Sequence, residues 1–285
     1  MKINKLSPQS YCSGVKNALQ IAYEVLNREA KPIYLLGSII HNQKVIADLE
    51  SKGAILIEEK NTSRSELIKR IPGGTVILSA HGVAPIVYEI AKERGISLID
   101  TTCGNVLLVQ KRMKEYLAKG YDCFYIGTKG HPECEGILGI SSSIQLIETQ
   151  EDINKLKPTS NHIYVTNQTT LSIFETEKLY QQIKERFPFA NIDNKICKAT
   201  TLRQQACLEQ EPVDLCIVVG DKSSSNTKKL VSASQSKGIK TCLVEDIEEV
   251  KIIDFSSIKS VSITSGASTP ENLVDEIIEY LKRVD

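Results

Sequence analysis

Three of the eight cysteines in this 285-residue chain share a spacing and a setting that suit a metal centre. Cys12, Cys103 and Cys197 stand 91 and 94 residues apart, and each directly precedes a segment with helix-like apolar periodicity. A thiolate at a helix N-terminus is favoured by the helix dipole and by the N–H groups of the first turn. Three thiolates could hold a four-iron cluster and leave one iron open to a substrate oxygen. Spacing alone does not choose between such a cluster and zinc, and a lone cysteine is more often a buried apolar residue.

The other five cysteines are predicted to be structural. They lie in strand-like apolar runs, in a helix, or between two acidic residues: Cys123, Cys216 and Cys242, then Cys207, then Cys134. Because the N-terminus carries no apolar signal segment, we expect reduced thiols and a cytoplasmic location.

Three of the four histidines lie in loops after predicted strands: His41, His81 and His131. The fourth, His162, opens a strand and is predicted to be a surface residue. One loop histidine alone is usually a hydrogen-bonded structural residue, but three at strand ends favour a common pocket. Such pockets lie at the carboxyl ends of parallel strands, where the three spaced cysteines also fall.

A run of small polar residues, Ser224, Ser225 and Asn226, follows an apolar strand and begins a predicted helix. Serine and asparagine are ordinary helix N-caps, which accounts for one of the three. Together with free helix N–H groups they also form a cradle for an anion such as a diphosphate. Ser268 repeats the arrangement before a helix in which Pro270 is predicted to be the first residue.

Glu133, two residues after His131, is the one carboxylate of these loops that could deliver a proton. We expect the negative charges of a cluster and a diphosphate to raise its pKa. The alternative is that Glu133 only begins a helix after Pro132, where a carboxylate favours the dipole. Thr169 and Thr170 follow another predicted strand in an equivalent position.

Short β-branched runs alternate with amphipathic segments along the whole chain, a pattern typical of parallel sheets covered by helices. We predict an α/β fold of three similar units with parallel-type sheets, arranged around one central iron–sulfur site. The expected units are residues 13–102, 103–195 and 196–285, joined by the N-terminal segment 1–12.

The 35 basic and 35 acidic residues give a formal net charge of zero, and no basic run is long enough to predict nucleic-acid binding. No apolar run approaches the roughly 18 residues that a membrane span needs. A local site, rather than the field of the whole protein, must therefore hold any anionic ligand.

Along nearly its whole length the chain resembles the 4-hydroxy-3-methylbut-2-enyl diphosphate reductases, which complete the methylerythritol phosphate route to isoprenoids. The matching segments include YCSGV, HNQKVIADL, SAHGV, the TC of DTTCGNV, GHPECEG, NQTTLS, IC-ATT-RQ-A, VVGDKSSSN and TSGASTP. The resemblance implies reductive dehydroxylation of (E)-4-hydroxy-3-methylbut-2-enyl diphosphate to isopentenyl and dimethylallyl diphosphates. It also implies a [4Fe–4S] cluster and an electron donor such as ferredoxin or flavodoxin.

The same resemblance implies a role for each candidate residue. Cys12, Cys103 and Cys197 would ligate the cluster. Glu133 would feed protons toward the allylic hydroxyl, and Thr169 would order that hydroxyl or a water molecule. The diphosphate would be contacted by His41, His81, His131, Ser224, Ser225, Asn226 and Ser268.

The chain departs from the family pattern beside the cysteines. The family usually reads R-G-F-C-A-G-V and T-C-P around the first two, where this chain has Gln9, Ser10, Ser13, Gly104 and Asn105; Lys198 follows the third. Serine adopts a positive φ less readily than the usual glycine. Two alternatives therefore stay open: a divergent paralogue acting on another allylic or phosphorylated substrate, and a non-catalytic protein that binds a metal or an anion. The second would need no proton donor such as Glu133.

Overall fold

The computed structural model describes residues 1–284, in which twelve short strands alternate with twelve α-helices. The strands are β1 (Lys2–Lys5), β2 (Ile33–Leu36), β3 (Ala54–Ile57), β4 (Thr75–Leu78), β5 (Ser97–Asp100), β6 (Asp122–Ile126), β7 (Gln145–Ile147), β8 (Ile163–Asn167), β9 (Asn191–Asp193), β10 (Leu215–Val219), β11 (Thr241–Val244) and β12 (Ser260–Ser265). The helices are α1 (Ser13–Arg28), α2 (Gln43–Ser51), α3 (Arg64–Leu67), α4 (Pro85–Glu93), α5 (Gly104–Ala118), α6 (Pro132–Leu138), α7 (Gln150–Lys155), α8 (Ile173–Arg186), α9 (Lys198–Glu209), α10 (Ser225–Gln235), α11 (Ile247–Lys251) and α12 (Glu271–Leu281). A 3₁₀ turn, Ile68–Arg70, follows α3.

All strand pairs are parallel, and they form three four-stranded sheets. The strand orders are β3-β2-β4-β5, β7-β6-β8-β9 and β1-β12-β10-β11. This confirms the predicted α/β class with three similar parallel sheets. A helix between successive strands is what a parallel connection requires.

The chain is organised in two compact units. The double-sheet unit comprises Lys16–Ile40 and Lys44–Ile196 and contains the first two sheets. The split unit comprises Met1–Val15, His41–Gln43 and the chain from Cys197 onward, and contains the third sheet. The predicted boundaries at 102/103 and 195/196 stay predictions.

Apolar residues at the expected periods form the core of each unit. Central strands such as β10 are buried along their whole length, as parallel strands covered on both faces should be. In α12 the buried residues recur every three or four positions, and they pack with the β10 and β12 side chains. Helix α9 is different, because its buried residues are Thr200, Arg203, Gln204 and Cys207.

The three helices predicted to start beside the spaced cysteines are confirmed. Helix α1 begins at Ser13, α5 at Gly104 and α9 at Lys198, each directly after its cysteine. Across residues 1–284, no helix has the length and apolar character needed to span a membrane.

Candidate functional site

In the split unit, Cys197 is the N-cap of α9. Its Sγ accepts a hydrogen bond from Thr200 N at 3.4 Å and lies 3.2 Å from Thr200 Oγ1. Cys12 stands directly before α1 and donates its N–H to Ala267 O at 3.1 Å. Both thiols are partly exposed.

Asn226 connects the surroundings of these two cysteines. Its Oδ1 accepts from Ala267 N at 3.0 Å, and its Nδ2 donates to Thr200 Oγ1 at 3.2 Å. A continuous hydrogen-bonded chain therefore runs from Cys12 through Ala267, Asn226 and Thr200 to Cys197. Asn226 is buried, with both ends of its amide engaged by protein groups. It is thus a structural link, whatever contact it also makes with a ligand.

The predicted anion cradle contains one helix cap and one buried hydroxyl that has no partner among residues 1–284. Ser224 is the N-cap of α10, and its Oγ accepts from Thr227 N at 3.3 Å, so capping explains this residue. Ser225 is the first helical residue and is partly exposed. The buried Ser268 Oγ has no hydrogen-bond partner within residues 1–284, which leaves a hydroxyl for a ligand. The prediction for Pro270 was wrong by one position, since it is the N-cap of α12.

His41 lies beside a serine that the sequence did not single out. Its Nδ1 is 3.4 Å from the Oγ of Ser223, whose side chain and N–H also bond the carboxylate of Asp221. The adjoining Asn42 donates to Ser268 O at 3.3 Å. The structure therefore groups His41 with the loop before α10 and with the Ser268 loop.

Ser10 keeps the backbone conformation that glycine would favour. Its φ is +61°, in the left-handed region, and it is one of two non-glycine residues with positive φ among those described. Its N–H donates to Ser265 Oγ at 2.7 Å. This departure from the family pattern therefore leaves a glycine-like backbone before Cys12.

In the double-sheet unit, Cys103 is the N-cap of α5 and donates its N–H to Ala80 O at 3.0 Å. That contact places it beside His81, which follows Ala80. The rings of His81 and His131 lie edge to face, with centroids 5.7 Å apart. Two predicted histidines and one predicted cysteine are thus gathered in this unit.

Glu133 is the most enclosed of the predicted residues in this unit, with 3% of its surface exposed. Its carboxylate accepts from Thr169 N at 2.9 Å and from Thr169 Oγ1 at 2.8 Å. Burial raises the pKa of Glu133 to about 7, although the two Thr169 hydrogen bonds oppose the rise. Burial is thus one cause of the raised pKa, and the effect expected from a cluster and a diphosphate stays a prediction.

Glu133 also lies in the first turn of α6, as the alternative interpretation expected. The N-cap there is His131, whose Nδ1 accepts from Glu133 N at 3.1 Å. An accepting Nδ1 places the proton of neutral His131 on Nε2, where it can be donated to an anion. The Glu133 carboxyl itself bonds Thr169, so capping does not account for its side chain.

Gln110 on α5 was missed by the sequence reasoning. It is buried, and its Nε2 donates to Val83 O at 3.2 Å. A Cβ at Gly82, whose φ is +74°, would come within 3.0 Å of that Nε2, and one at Gly136 within 2.9 Å. The helix after Cys103, the turn after His81 and helix α6 therefore meet at one amide. A polar residue on the apolar side of α5 was the available signal.

The five remaining cysteines fit their predicted structural role. Four of them are fully buried, and burial raises the pKa of three to about 12: Cys123, Cys134 and Cys207. Cys216 is the fourth, and Cys242 is partly buried.

His162 is exposed, as predicted. Within residues 1–284, no three His, Cys, Asp or Glu side chains are grouped so that they could hold a single metal ion.

A sequence model of the family described as LytB protein matches residues 3–282. The chain belongs to the LytB family. This LytB chain is 41% identical over 290 residues to the 4-hydroxy-3-methylbut-2-enyl diphosphate reductase of Geobacillus sp. (strain WCH70), covering 100% of this chain and 91% of that protein. It is 39% identical over 289 residues to the protein of the same name from Symbiobacterium thermophilum, covering 99% and 97%.

Two solved structures resemble this LytB chain. The E-1-hydroxy-2-methyl-but-2-enyl-4-diphosphate reductase of Plasmodium falciparum superposes with a TM-score of 0.90 at 32% identity, covering 99% of this chain and 88% of that one. An (E)-4-hydroxy-3-methyl-but-2-enyl diphosphate reductase, described as the terminal enzyme of the non-mevalonate pathway, gives 0.70 at 29% identity with full coverage of both chains. The sequence match to the LytB family and the structural match to solved reductases thus lead to the same group of proteins.

Proposed function

We propose that this LytB chain reduces (E)-4-hydroxy-3-methylbut-2-enyl diphosphate to isopentenyl and dimethylallyl diphosphates. Family membership supports the reaction, because full-length relatives and similar structures bear the names of such reductases. The observation that carries the proposal is the buried Glu133 carboxyl, held by Thr169 and kept by burial at a pKa of about 7. Loss of a hydroxyl group as water needs a proton donor of this kind near neutral pH.

The reaction consumes two electrons and two protons. One proton joins the leaving hydroxyl as the C–O bond breaks and water departs, and the other is added to carbon. We assign the first proton to Glu133, because burial raises the pKa of this carboxyl to about 7 and so keeps it partly protonated near neutral pH. Thr169 Oγ1 donates to Glu133, and its oxygen can still accept a hydrogen bond from the substrate hydroxyl.

We assign a [4Fe–4S] cluster to Cys12, Cys103 and Cys197. The donor set fits, because these three partly exposed thiols each stand directly before a helix, whereas four of the other five are enclosed in apolar cores. Three thiolates without a fourth protein ligand leave one iron for substrate. When bound, the cluster would supply the electrons one at a time.

Diphosphate binding is assigned to polar groups of both units. In the split unit these are His41, Ser224, Ser225, Asn226 and Ser268, of which the Ser268 hydroxyl is buried and unpaired within residues 1–284. In the double-sheet unit they are His81 and His131. Histidine N–H groups and serine hydroxyls donate to phosphate oxygens, so a local site can bind a diphosphate although the net charge of the chain is zero.

The electrons must come from outside the chain, and we propose a one-electron carrier such as ferredoxin or flavodoxin. All eight cysteines are reduced, and none forms a disulfide within residues 1–284. Free thiols persist in a reducing compartment, which supports a cytoplasmic location.

The test is anaerobic purification followed by iron, sulfide and turnover measurements. About four irons and four sulfides per chain are expected, together with both diphosphate products when a low-potential artificial reductant is supplied. Cys12→Ser, Cys103→Ser and Cys197→Ser should each lose the cluster or leave it damaged. Cys123→Ser is the matched control, because its Sγ already contacts Tyr121 O at 3.6 Å and a hydroxyl would keep that acceptor.

The possible results separate the alternatives. Stoichiometric zinc without sulfide would contradict the cluster and favour a non-catalytic metal-binding protein. A complete cluster that turns over another allylic diphosphate, but not this one, would identify a divergent paralogue.

A further inference from the structure

Arg203 is a buried cation with an unusual set of partners. It lies on α9, six residues after Cys197, and is 2% exposed. Its Nη1 donates to Ala199 O at 2.9 Å, and its Nη2 donates to Ser10 O at 2.6 Å and approaches Gln9 O at 3.4 Å. Its Nε is buried without a partner within residues 1–284, where no carboxylate pairs with the guanidinium. Neutral carbonyl oxygens are thus its acceptors.

Such a group is costly unless an anion accompanies it. An arginine cannot escape burial by losing its proton, and an uncompensated buried charge is strongly unfavourable. Burial lowers the pKa of Arg203, and the thiolate charges of Cys12 and Cys197 raise it. The two cysteines are therefore the acidic groups that act on this guanidinium, and they would be thiolates with a cluster bound.

The carbonyl contacts give Arg203 a second effect. Ser10 O, which accepts its shortest hydrogen bond, belongs to the residue with φ of +61° two positions before Cys12. A left-handed conformation in a non-glycine residue persists when surrounding contacts hold it. Arg203 Nη2 on the carbonyl side and Ser265 Oγ on the amide side are those contacts.

We infer that Arg203 is a positioning residue of the cluster site, which holds the Gln9–Ser10 backbone before Cys12 and offsets the negative charge of the thiolate-bound cluster. The inference rests on the proposed function in that it needs a cluster at Cys12 and Cys197. Adding an electron makes the cluster more negative, so a fixed positive charge nearby favours the reduced form. Arg203 should therefore raise the reduction potential.

The test compares Arg203→Gln with Arg203→Lys, which keeps the charge but not the planar fork. Arg186→Gln is the control. Arg186, on helix α8 of the other unit, also donates to carbonyl oxygens, which are those of Ile153 and Leu156. The potential of the loaded protein is measured by an anaerobic redox titration followed by EPR. Backbone hydrogen exchange at residues 9–12 is measured by mass spectrometry on the apoprotein.

For Arg203→Gln we expect a cluster reduction potential about 59 mV lower than in wild type, which corresponds to a roughly tenfold less favourable one-electron reduction. Arg203→Lys and Arg186→Gln should stay within about threefold of wild type. Exchange at residues 9–12 should accelerate in both Arg203 variants and not in the control. A wild-type potential in Arg203→Gln would overturn the charge role, and unchanged exchange would overturn the positioning role.

If Arg203→Gln does not fold or load, Arg203→Lys decides. A wild-type reduction potential with faster exchange in Arg203→Lys supports the inference. A reduction potential lowered as far as loss of the positive charge would lower it overturns the inference. Wild-type protein without iron and sulfide would instead contradict the proposed function.

Discussion

The split unit and the double-sheet unit each bury one ionisable side chain among their proposed site residues, and the two side chains carry opposite charges. Within residues 1–284 the Arg203 guanidinium donates only to carbonyl oxygens, and the Glu133 carboxylate accepts hydrogen bonds only from Thr169. Glutamate can become neutral by taking up a proton, and burial favours that form. Arginine has no such option and needs an anion nearby. The comparison distinguishes a unit that holds a proton-donating acid from a unit that holds a cation suited to an anion.

The largest effect is expected from Glu133→Gln. Glutamine keeps the shape, and its oxygen can accept from Thr169 N while its NH2 group donates to Thr169 Oγ1, but it cannot act as an acid. Turnover with an artificial reductant should fall about 10²- to 10⁴-fold, while iron content and diphosphate affinity stay at wild-type values. Glu177→Gln, an exposed change in the same unit, is the control. Wild-type turnover would remove Glu133 from the mechanism, and joint loss of cluster and fold would favour a capping role.

The same variant tests the buried acid through the pH dependence of stability. The pKa of Glu133 is about 7 in the folded chain, against an ordinary value of 4.5. The folded state therefore binds more protons between pH 4.5 and 7, so the free energy of unfolding falls as pH rises through this window. The loss should approach about 3 kcal/mol above pH 7. Denaturant titrations of wild type and Glu133→Gln should diverge accordingly, and parallel pH profiles would contradict the assignment.

In the split unit, Asn226→Ala should cost about 1–3 kcal/mol of unfolding free energy, because it breaks the hydrogen-bonded chain between Cys12 and Cys197. If Asn226 also binds the diphosphate, calorimetry should show roughly 10- to 150-fold weaker binding of pyrophosphate by folded protein. Ser232→Ala on the exposed side of the same helix is the control. A stability loss with unchanged affinity would restrict Asn226 to the structural link.

The smallest effect concerns the two left-handed residues, one in each unit. Ser10→Gly should raise the free energy of unfolding by up to about 1 kcal/mol, because relief of the positive φ exceeds the extra entropy of glycine. Asn61→Gly, at φ +63° in the double-sheet unit, should gain less, since asparagine tolerates this region better. Ser10→Val should lose about 1–2 kcal/mol. A stabilising Ser10→Val would show that the loop adopts another backbone.

Much of the fold could be predicted from local pattern. Apolar periodicity with a period of 2 or 3.6 residues depends on near neighbours, so the alternation of strands and helices can be read directly. The three helices that begin after Cys12, Cys103 and Cys197 were predicted for the same reason. The exact start of α12 was missed by one residue, because the geometry at a helix end decides whether proline caps or opens it.

The sequence by itself determined which residue types follow each strand, and hence the candidate histidines, serines and Glu133. Only the tertiary structure decided which distant residues form hydrogen bonds with one another. Thr169 donates to the Glu133 carboxylate, Asn226 bridges Ala267 and Thr200, and Arg203 donates to the Ser10 carbonyl. Each of these contacts joins residues at least 26 positions apart in the chain. The pKa of a buried carboxyl and the free-energy cost of burying a guanidinium depend on how much water such contacts exclude. The local sequence pattern does not contain that information.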